Sequence, residues 1–166
     1  MARRATLARD LVTKLLLPYW APNVHPMIVH FPIAWWIAAV LVDLIGVMVP
    51  RAAWANTTAS TLYPAGAIAA TATYLTGRRA AMAVLTPGMA YPIVLEHWNW
   101  ALATTVAFWL VALLRLAVTL KHPRPPRSVR IALAVAALAA LASLFETGER
   151  GARLVFDYGI GVSSRH

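Results

Sequence analysis

The hydrophobic residues of this chain fall into four long runs separated by short breaks. The runs cover residues 27–49, 59–76, 98–120 and 129–145. About 20 apolar helical residues cross the hydrocarbon core of a bilayer. The first and third runs reach that length, and the second and fourth reach it by extending into flanking residues. The pattern predicts an all-α fold, an integral membrane four-helix bundle.

The breaks between the runs carry residues that commonly end helices. Pro50 follows the first run, Gly77-Arg78-Arg79 follows the second, KHPRPPR follows the third and ETGERG follows the fourth. Proline lacks a backbone N–H, and glycine is frequent just past a helix end. We therefore expect each helix to stop at its break.

Ahead of the four runs lies a separate N-terminal segment, residues 1–22. Leu7, Leu11 and Leu15 follow helical spacing, and basic residues are interspersed among them. This pattern predicts an amphipathic helix on the membrane surface, followed by a transmembrane domain over residues 23–162. A frayed basic tail is the alternative.

Composition supports an integral membrane protein. Hydrophobic residues make up 60% of the chain and charged residues 13%, whereas soluble domains average about half and about a quarter. The chain has no cysteine, which excludes disulfides, thiolate metal sites, iron–sulfur clusters and covalently attached c-type haem. The net charge is +9, but the basic residues lie between apolar runs. We therefore expect lipid headgroups as their partners, not nucleic acid.

Four spans would place both termini on one side of the membrane, which we name face A, together with the loop between the second and third helices. The other two loops define face B. Lysine and arginine favour face A as the cytoplasmic side, with nine such residues there and five on face B. The loop at 121–130 is nevertheless densely basic, so both orientations stay open.

Three of the five histidines fall near face A. His25 and His30 open the first predicted helix, and His97 opens the third. The second and fourth helices end at the same face with YLTGRR and FETGERG. His25 and His30 are five residues apart, which is about 140° around a regular helix. Only one of these two can therefore face the bundle.

Two imidazoles on different helices can hold a b-type haem. His30 and His97 lie just inside their helices, so we predict them as the two ligands of the haem iron. His25 is shallower and is a further candidate for a second haem, a metal or a propionate. Arg153 is a candidate partner of the propionates, since arginine binds carboxylates bidentately. A quinone could bind near the haem edge.

Other interpretations fit the same residues. The histidines could bind iron, copper or zinc together with nearby carboxylates, namely Glu96, Glu146 or Asp157. They could instead bond to backbone or headgroups, in a cofactor-free accessory subunit of a membrane complex. The sequence has no activated nucleophile and no phosphate-binding glycine loop. A non-catalytic subunit is therefore favoured over an enzyme.

Three motifs carry a resemblance to a known family. HPMIVHFP begins at His25, EHWNWA at Glu96 and GARLVFDYGIGV at Gly151. With them, residues 24–162 resemble the domain of unknown function 2231 family of small bacterial membrane proteins. The family often has a histidine where this chain has Tyr158. The resemblance implies a multi-pass protein of the bacterial inner membrane, b-type-cytochrome-like, that transfers electrons within a larger redox complex.

Two charged residues fall inside the predicted spans. Asp43 lies 13 residues after His30 and Arg115 lies 18 residues after His97, or about 20 Å and about 27 Å along their helices. The difference in depth, about 7 Å, is within reach of an arginine side chain and a modest helix tilt. Unpaired intramembrane charges are costly. We therefore predict that the two side chains pair or share a polar cluster inside the bundle.

Overall fold

The computed structural model describes residues 24–49, 51–84, 86–122 and 125–162. Its helices are α1 (His25–Ile28), α2 (His30–Met48), α3 (Ala53–Ala83), α4 (Tyr91–Lys121) and α5 (Arg127–Phe156), with a 3-10 turn at Gly88–Ala90. No strand occurs in these residues, and the all-α prediction is confirmed. The predicted amphipathic segment, residues 1–22, lies outside the described residues and stays a prediction.

The four long helices, α2 to α5, close into a bundle. Each packs against the next along the chain, and α5 packs back against α2. Short connections between neighbours produce an up-and-down arrangement. The start of α1, the segment before α4 and the end of α5 therefore share face A. The α2–α3 and α4–α5 connections share face B.

Three helical stretches among the described residues are long and apolar enough to cross a membrane: His25–Met48, Gly88–Lys121 and Arg127–Phe156. The predicted four-helix bundle is confirmed. Helix α3 has 31 residues, which is long enough to cross a membrane, but it is not one of the three stretches that are also apolar enough. Its neighbours α2 and α4 cover it on two sides. A place in the bundle therefore does not require α3 to be as hydrophobic as a helix surrounded by lipid.

Two helices continue through sequences that we predicted would end them. Helix α3 runs past Gly77, and α5 runs past Gly148 and Gly151. The predicted stops at 77–79 and 146–151 are therefore wrong. A glycine inside a helix costs about 1 kcal/mol relative to alanine. Two of these glycines have a packing reason, which lies in the functional site described below.

Pro32 lies inside the first apolar run, where its missing N–H predicts a local distortion of the helix, and the structure has one. The helix is interrupted at Val29, between α1 and α2, where the missing N–H of Pro32 leaves the Ile28 carbonyl without its helical partner. The N–H of Val29 bonds to the carbonyl of His25 at 3.1 Å. His25 thus sits on a short turn of its own, separate from the helix that carries His30.

Aromatic rings fill the middle of the bundle. The rings of Trp36 and Phe108 stack with centroids 3.4 Å apart, and the ring of Tyr63 meets Trp36 edge-on at 5.0 Å. Trp36 Nε1 donates to the carbonyl of Ala137 at 3.3 Å. A Cβ at Gly66 would lie 3.1 Å from Trp36 Cε3, so glycine permits this approach of α3. Trp36 therefore joins all four long helices.

The predicted pairing of Asp43 with Arg115 is confirmed. Arg115 Nη1 donates to Asp43 Oδ2 at 2.7 Å, and the two side chains are 2% and 4% exposed, respectively. Tyr63 donates its hydroxyl to the same carboxylate oxygen at 3.2 Å. Arg115 also donates to Asn56 Oδ1 at 3.2 Å and to Ser60 Oγ at 3.4 Å. This buried cluster joins α2, α3 and α4 in the half of the bundle nearer face B.

Candidate functional site at face A

The histidine site, as we name it, lies at the face A end of the bundle. It comprises two histidines, each with a threonine and a glycine from a neighbouring helix: His25 with Thr76 and Gly77 of α3, and His97 with Thr147 and Gly151 of α5. Helices α3 and α5 end at face A, whereas α1 and α4 begin there. The antiparallel arrangement therefore brings the amino-terminal histidines to the carboxyl-terminal Thr and Gly residues.

His97 is fixed by helix α5. Its Nδ1 lies 3.0 Å from the carbonyl oxygen of Thr147. A carbonyl only accepts, so Nδ1 carries the proton and the lone pair of the neutral ring lies on Nε2. The ring rests on Gly151, where a Cβ would come within 3.1 Å of His97 Cε1. Both the position and the tautomer of this ring are thus set by α5.

His25 is held in a corresponding way by helix α3. Its Nδ1 lies 3.3 Å from Thr76 Oγ1, and the ring also hydrogen-bonds to the backbone of Thr73. A Cβ at Gly77 would lie 2.9 Å from His25 Cε1, closer than any ordinary carbon contact. The absence of a side chain at Gly77 therefore lets the imidazole of His25 pack directly against α3, which accounts for a glycine inside this helix.

The fold brings His25 and His97 to the face A end of the bundle, although 72 positions separate them in the chain. The two rings lie within electrostatic range of each other. They come from opposite members of the helix ring, α1–α2 and α4, and each contacts one of the two helices between. The site is therefore central to the bundle at face A.

His30 is placed differently from our prediction. Its side chain is exposed, and its Nδ1 lies 3.4 Å from the carbonyl of Met27, on its own segment. We expected one of His25 and His30 to face the bundle and chose His30 for its depth. In the structure it is His25 that packs against a neighbouring helix, at Thr76 and Gly77. His30 lies five residues further on, about 140° around the helix, and is exposed on the outer surface.

An ion-pair network surrounds Arg150 beside the histidine site. Arg150 contacts Glu96 on α4 at 3.2 Å, and Glu146 and Glu149 on its own helix at 2.6 and 3.5 Å. Its guanidinium lies 5.0 Å from the ring centroid of Trp100. These contacts tie α4 to α5, and they place Arg150 near enough to His97 to interact with it electrostatically.

The predicted propionate partner, Arg153, is further out. Its side chain is 43% exposed and pairs with Glu149 on α5 at 3.9 Å and with Asp157, just past the end of α5, at 3.4 Å. The carboxylates weighed as metal ligands are thus engaged by arginines. Among the described residues, no group of three or more histidine or acidic side chains could hold a metal ion. What the site offers is a pair of imidazoles.

Hydroxyl groups continue the polar site inward. Thr104 Oγ1 lies 2.9 Å from the Ser143 carbonyl and 2.8 Å from Thr147 Oγ1. Thr73 Oγ1 is buried without a hydrogen-bond partner within the described residues. From the sequence we read YLTGRR and FETGERG as helix ends. The threonine of each, Thr76 and Thr147, contacts a histidine, whereas the glycine under the ring is Gly77 in the first and Gly151, not Gly148, in the second.

We expect Gly77→Ala to destabilise the protein, because the new methyl group would meet the His25 ring. Overpacking of this kind costs about 1–3 kcal/mol. Gly148→Ala is the matched control, since it is also a helical glycine but a Cβ there meets nothing within 4 Å. The control should gain up to about 1 kcal/mol from helix propensity. Thermal unfolding in detergent measures both.

The double variant His25→Ala/Gly77→Ala checks the cause. Without the ring, alanine at 77 should stabilise α3 as it stabilises α5 at 148. If Gly77→Ala lowers the thermal stability no more than Gly148→Ala does while His25 is present, the packing of His25 on Gly77 does not contribute to stability.

The chain was compared with known proteins. A family model described as "Predicted membrane protein (DUF2231)" matches residues 21–164, a range that contains all five helices and the whole histidine site. No curated protein and no solved structure matches the chain. The resemblance inferred from the three sequence motifs is thereby confirmed.

Proposed function

This chain belongs to the DUF2231 family of predicted membrane proteins, and we propose that it is an electron-transfer subunit that holds a b-type haem between His25 and His97. The convergence of these two histidines at one end of a membrane bundle carries the proposal. They supply the donor set for bis-imidazole ligation from two different helices. His25 thus replaces His30 in the ligand pair that the sequence suggested.

The surroundings of the two rings fit a haem-binding role. Ligand histidines usually donate their other ring N–H to a carbonyl or carboxylate, which orients the ring and strengthens the ligand. His97 has that arrangement with the Thr147 carbonyl. Gly77 and Gly151 allow imidazoles to lie directly against helices. Further into the bundle from face A, the stacked rings of Trp36 and Phe108 provide an apolar core.

Each part of the site has a role in this proposal. A bound haem would supply one-electron chemistry. His25 and His97 hold the iron, Thr147 fixes the tautomer of His97, and the helices around the site exclude water. Arg150 lies near His97, but its guanidinium is already paired with Glu96, Glu146 and Glu149, so it does not take over the propionate role that we had assigned to Arg153.

The wider setting follows from the same proposal. The chain itself carries out no bond-making reaction and serves as a non-catalytic subunit of a larger redox complex in the bacterial inner membrane. A lipid-soluble quinone is the electron partner most compatible with a site at one end of a membrane bundle, because quinones diffuse within the bilayer.

A reduced-minus-oxidised spectrum tests the proposal. The full chain is expressed in haem-replete cells and purified in detergent, and haem is extracted and counted against protein. We expect sharp b-type bands and one haem per chain. A protein that carries no haem after expression with excess haem precursor, yet remains folded, rules the proposal out.

A second candidate is a cofactor-free accessory subunit. The packing of both imidazoles directly on glycines favours it, because these contacts hold α1 against α3 and α4 against α5 without any ligand. In that case His25→Ala and His97→Ala would lower the melting temperature of a protein that shows no haem band. Copurification with a membrane complex would then identify its role.

A further inference from the structure

The opposite end of the bundle, face B, carries a different charge pattern. Its described residues are the end of α2, the start of α3, the end of α4 and the start of α5. Arg130 Nη1 donates to the Gly46 carbonyl at 2.6 Å, which fixes the start of α5 against the end of α2. The four helix ends therefore form one surface.

Positive charge on face B is not balanced by acidic residues. Arg51, Lys121 and Arg127 are exposed, and Arg130 is half-buried. No aspartate or glutamate occurs in the sequence at 44–95 or at 97–145. The one nearby carboxylate, Asp43, is already neutralised in the core by Arg115.

The ion pairs of the described residues lie elsewhere. Apart from the buried Asp43–Arg115 pair, they join Arg150 and Arg153 to acidic residues at face A. At face B, Arg130 Nε is buried without a hydrogen-bond partner within the described ranges. The two ends of the bundle therefore differ: Arg150 and Arg153 at face A have acidic partners, and the basic side chains at face B have none in this part of the chain.

We propose that face B binds the phosphate groups of anionic phospholipids. The surface lies at the end of membrane-crossing helices, at the depth where headgroups are found. Trp54, 56% exposed beside Arg51, is typical of residues at that interface. Basic side chains next to a membrane span attract anionic lipids, and each contributes about fivefold in binding. This surface is independent of the histidine site and of any haem.

Lipid retention measures the proposed binding. The full chain is delipidated in detergent and titrated with phosphatidylglycerol or phosphatidylcholine, and bound lipids are counted by native mass spectrometry. We expect preferential binding of phosphatidylglycerol that weakens as salt is added. The triple variant Arg51→Gln/Lys121→Gln/Arg127→Gln should weaken it by about a hundredfold. These three side chains are exposed, so the fold should survive.

Two controls make the result specific. Arg153→Gln removes an exposed charge at face A that is already paired with Glu149 and Asp157, and it should leave phosphatidylglycerol binding unchanged. The lysine variant Arg51→Lys/Arg127→Lys, which keeps the charge, should also retain it. Equal losses in the face A and face B variants, no preference over phosphatidylcholine, or full displacement by inorganic phosphate at equal concentration would each overturn the proposal. The last outcome would identify a soluble phosphate as the ligand.

Discussion

Asp43→Asn is expected to destabilise the bundle by about 3–5 kcal/mol, the usual cost of removing one partner of a buried ion pair. The substitution leaves the Arg115 guanidinium charged inside the core, where it is 2% exposed. Asn56 and Ser60 still accept hydrogen bonds from it, but neither carries a negative charge. Unfolding in detergent, followed by circular dichroism, measures the loss.

A double-mutant cycle separates this pair from general damage. Asp43→Asn and Arg115→Gln are each expected to be costly, whereas the double variant should cost clearly less than their sum, because coupled partners deviate from additivity. Arg153→Gln serves as the exposed control, since surface pairs contribute about 0–1 kcal/mol. Additive losses would show that Asp43 and Arg115 stabilise the bundle separately.

His25→Ala and His97→Ala are each expected to abolish the b-type haem spectrum. Under the proposed function, either substitution removes one of the two imidazoles that hold the iron, and six-coordinate ligation cannot form. His30→Ala and His122→Ala are the matched controls, because both side chains are exposed away from the histidine site. Their spectra and haem content should equal those of the unmodified protein.

The controls decide between the two ligand assignments. If His30→Ala removes the haem spectrum while His25→Ala preserves it, the ligand pair is His30 and His97, as the sequence suggested. The positions of His25 and His30 described above would then differ from those in the haem-bound protein. Adding imidazole to His25→Ala or His97→Ala offers a further check, since a small ligand can enter the vacated position.

Helix positions were largely predictable, and helix ends were not. The apolar runs located four helices, and Pro32 located the interruption at Val29. Gly77 and Gly151, however, were read as helix ends because glycine is common there. Within the bundle they are interior positions on which imidazole rings rest. Sequence alone cannot tell a glycine that ends a helix from one that admits a neighbour, because the neighbour comes from another part of the chain.

The sequence by itself determined the membrane bundle, the gathering of polar groups at face A and the pairing of Asp43 with Arg115. Each follows from quantities that a single helix defines: its hydrophobic length, the end at which a residue lies and its depth at 1.5 Å per residue. Only the tertiary structure decided that His25, not His30, packs against a neighbouring helix at face A, as His97 does, and that Arg150 lies within electrostatic range of His97. Those outcomes depend on the rotation of each helix about its own axis, which is set by side-chain packing between helices.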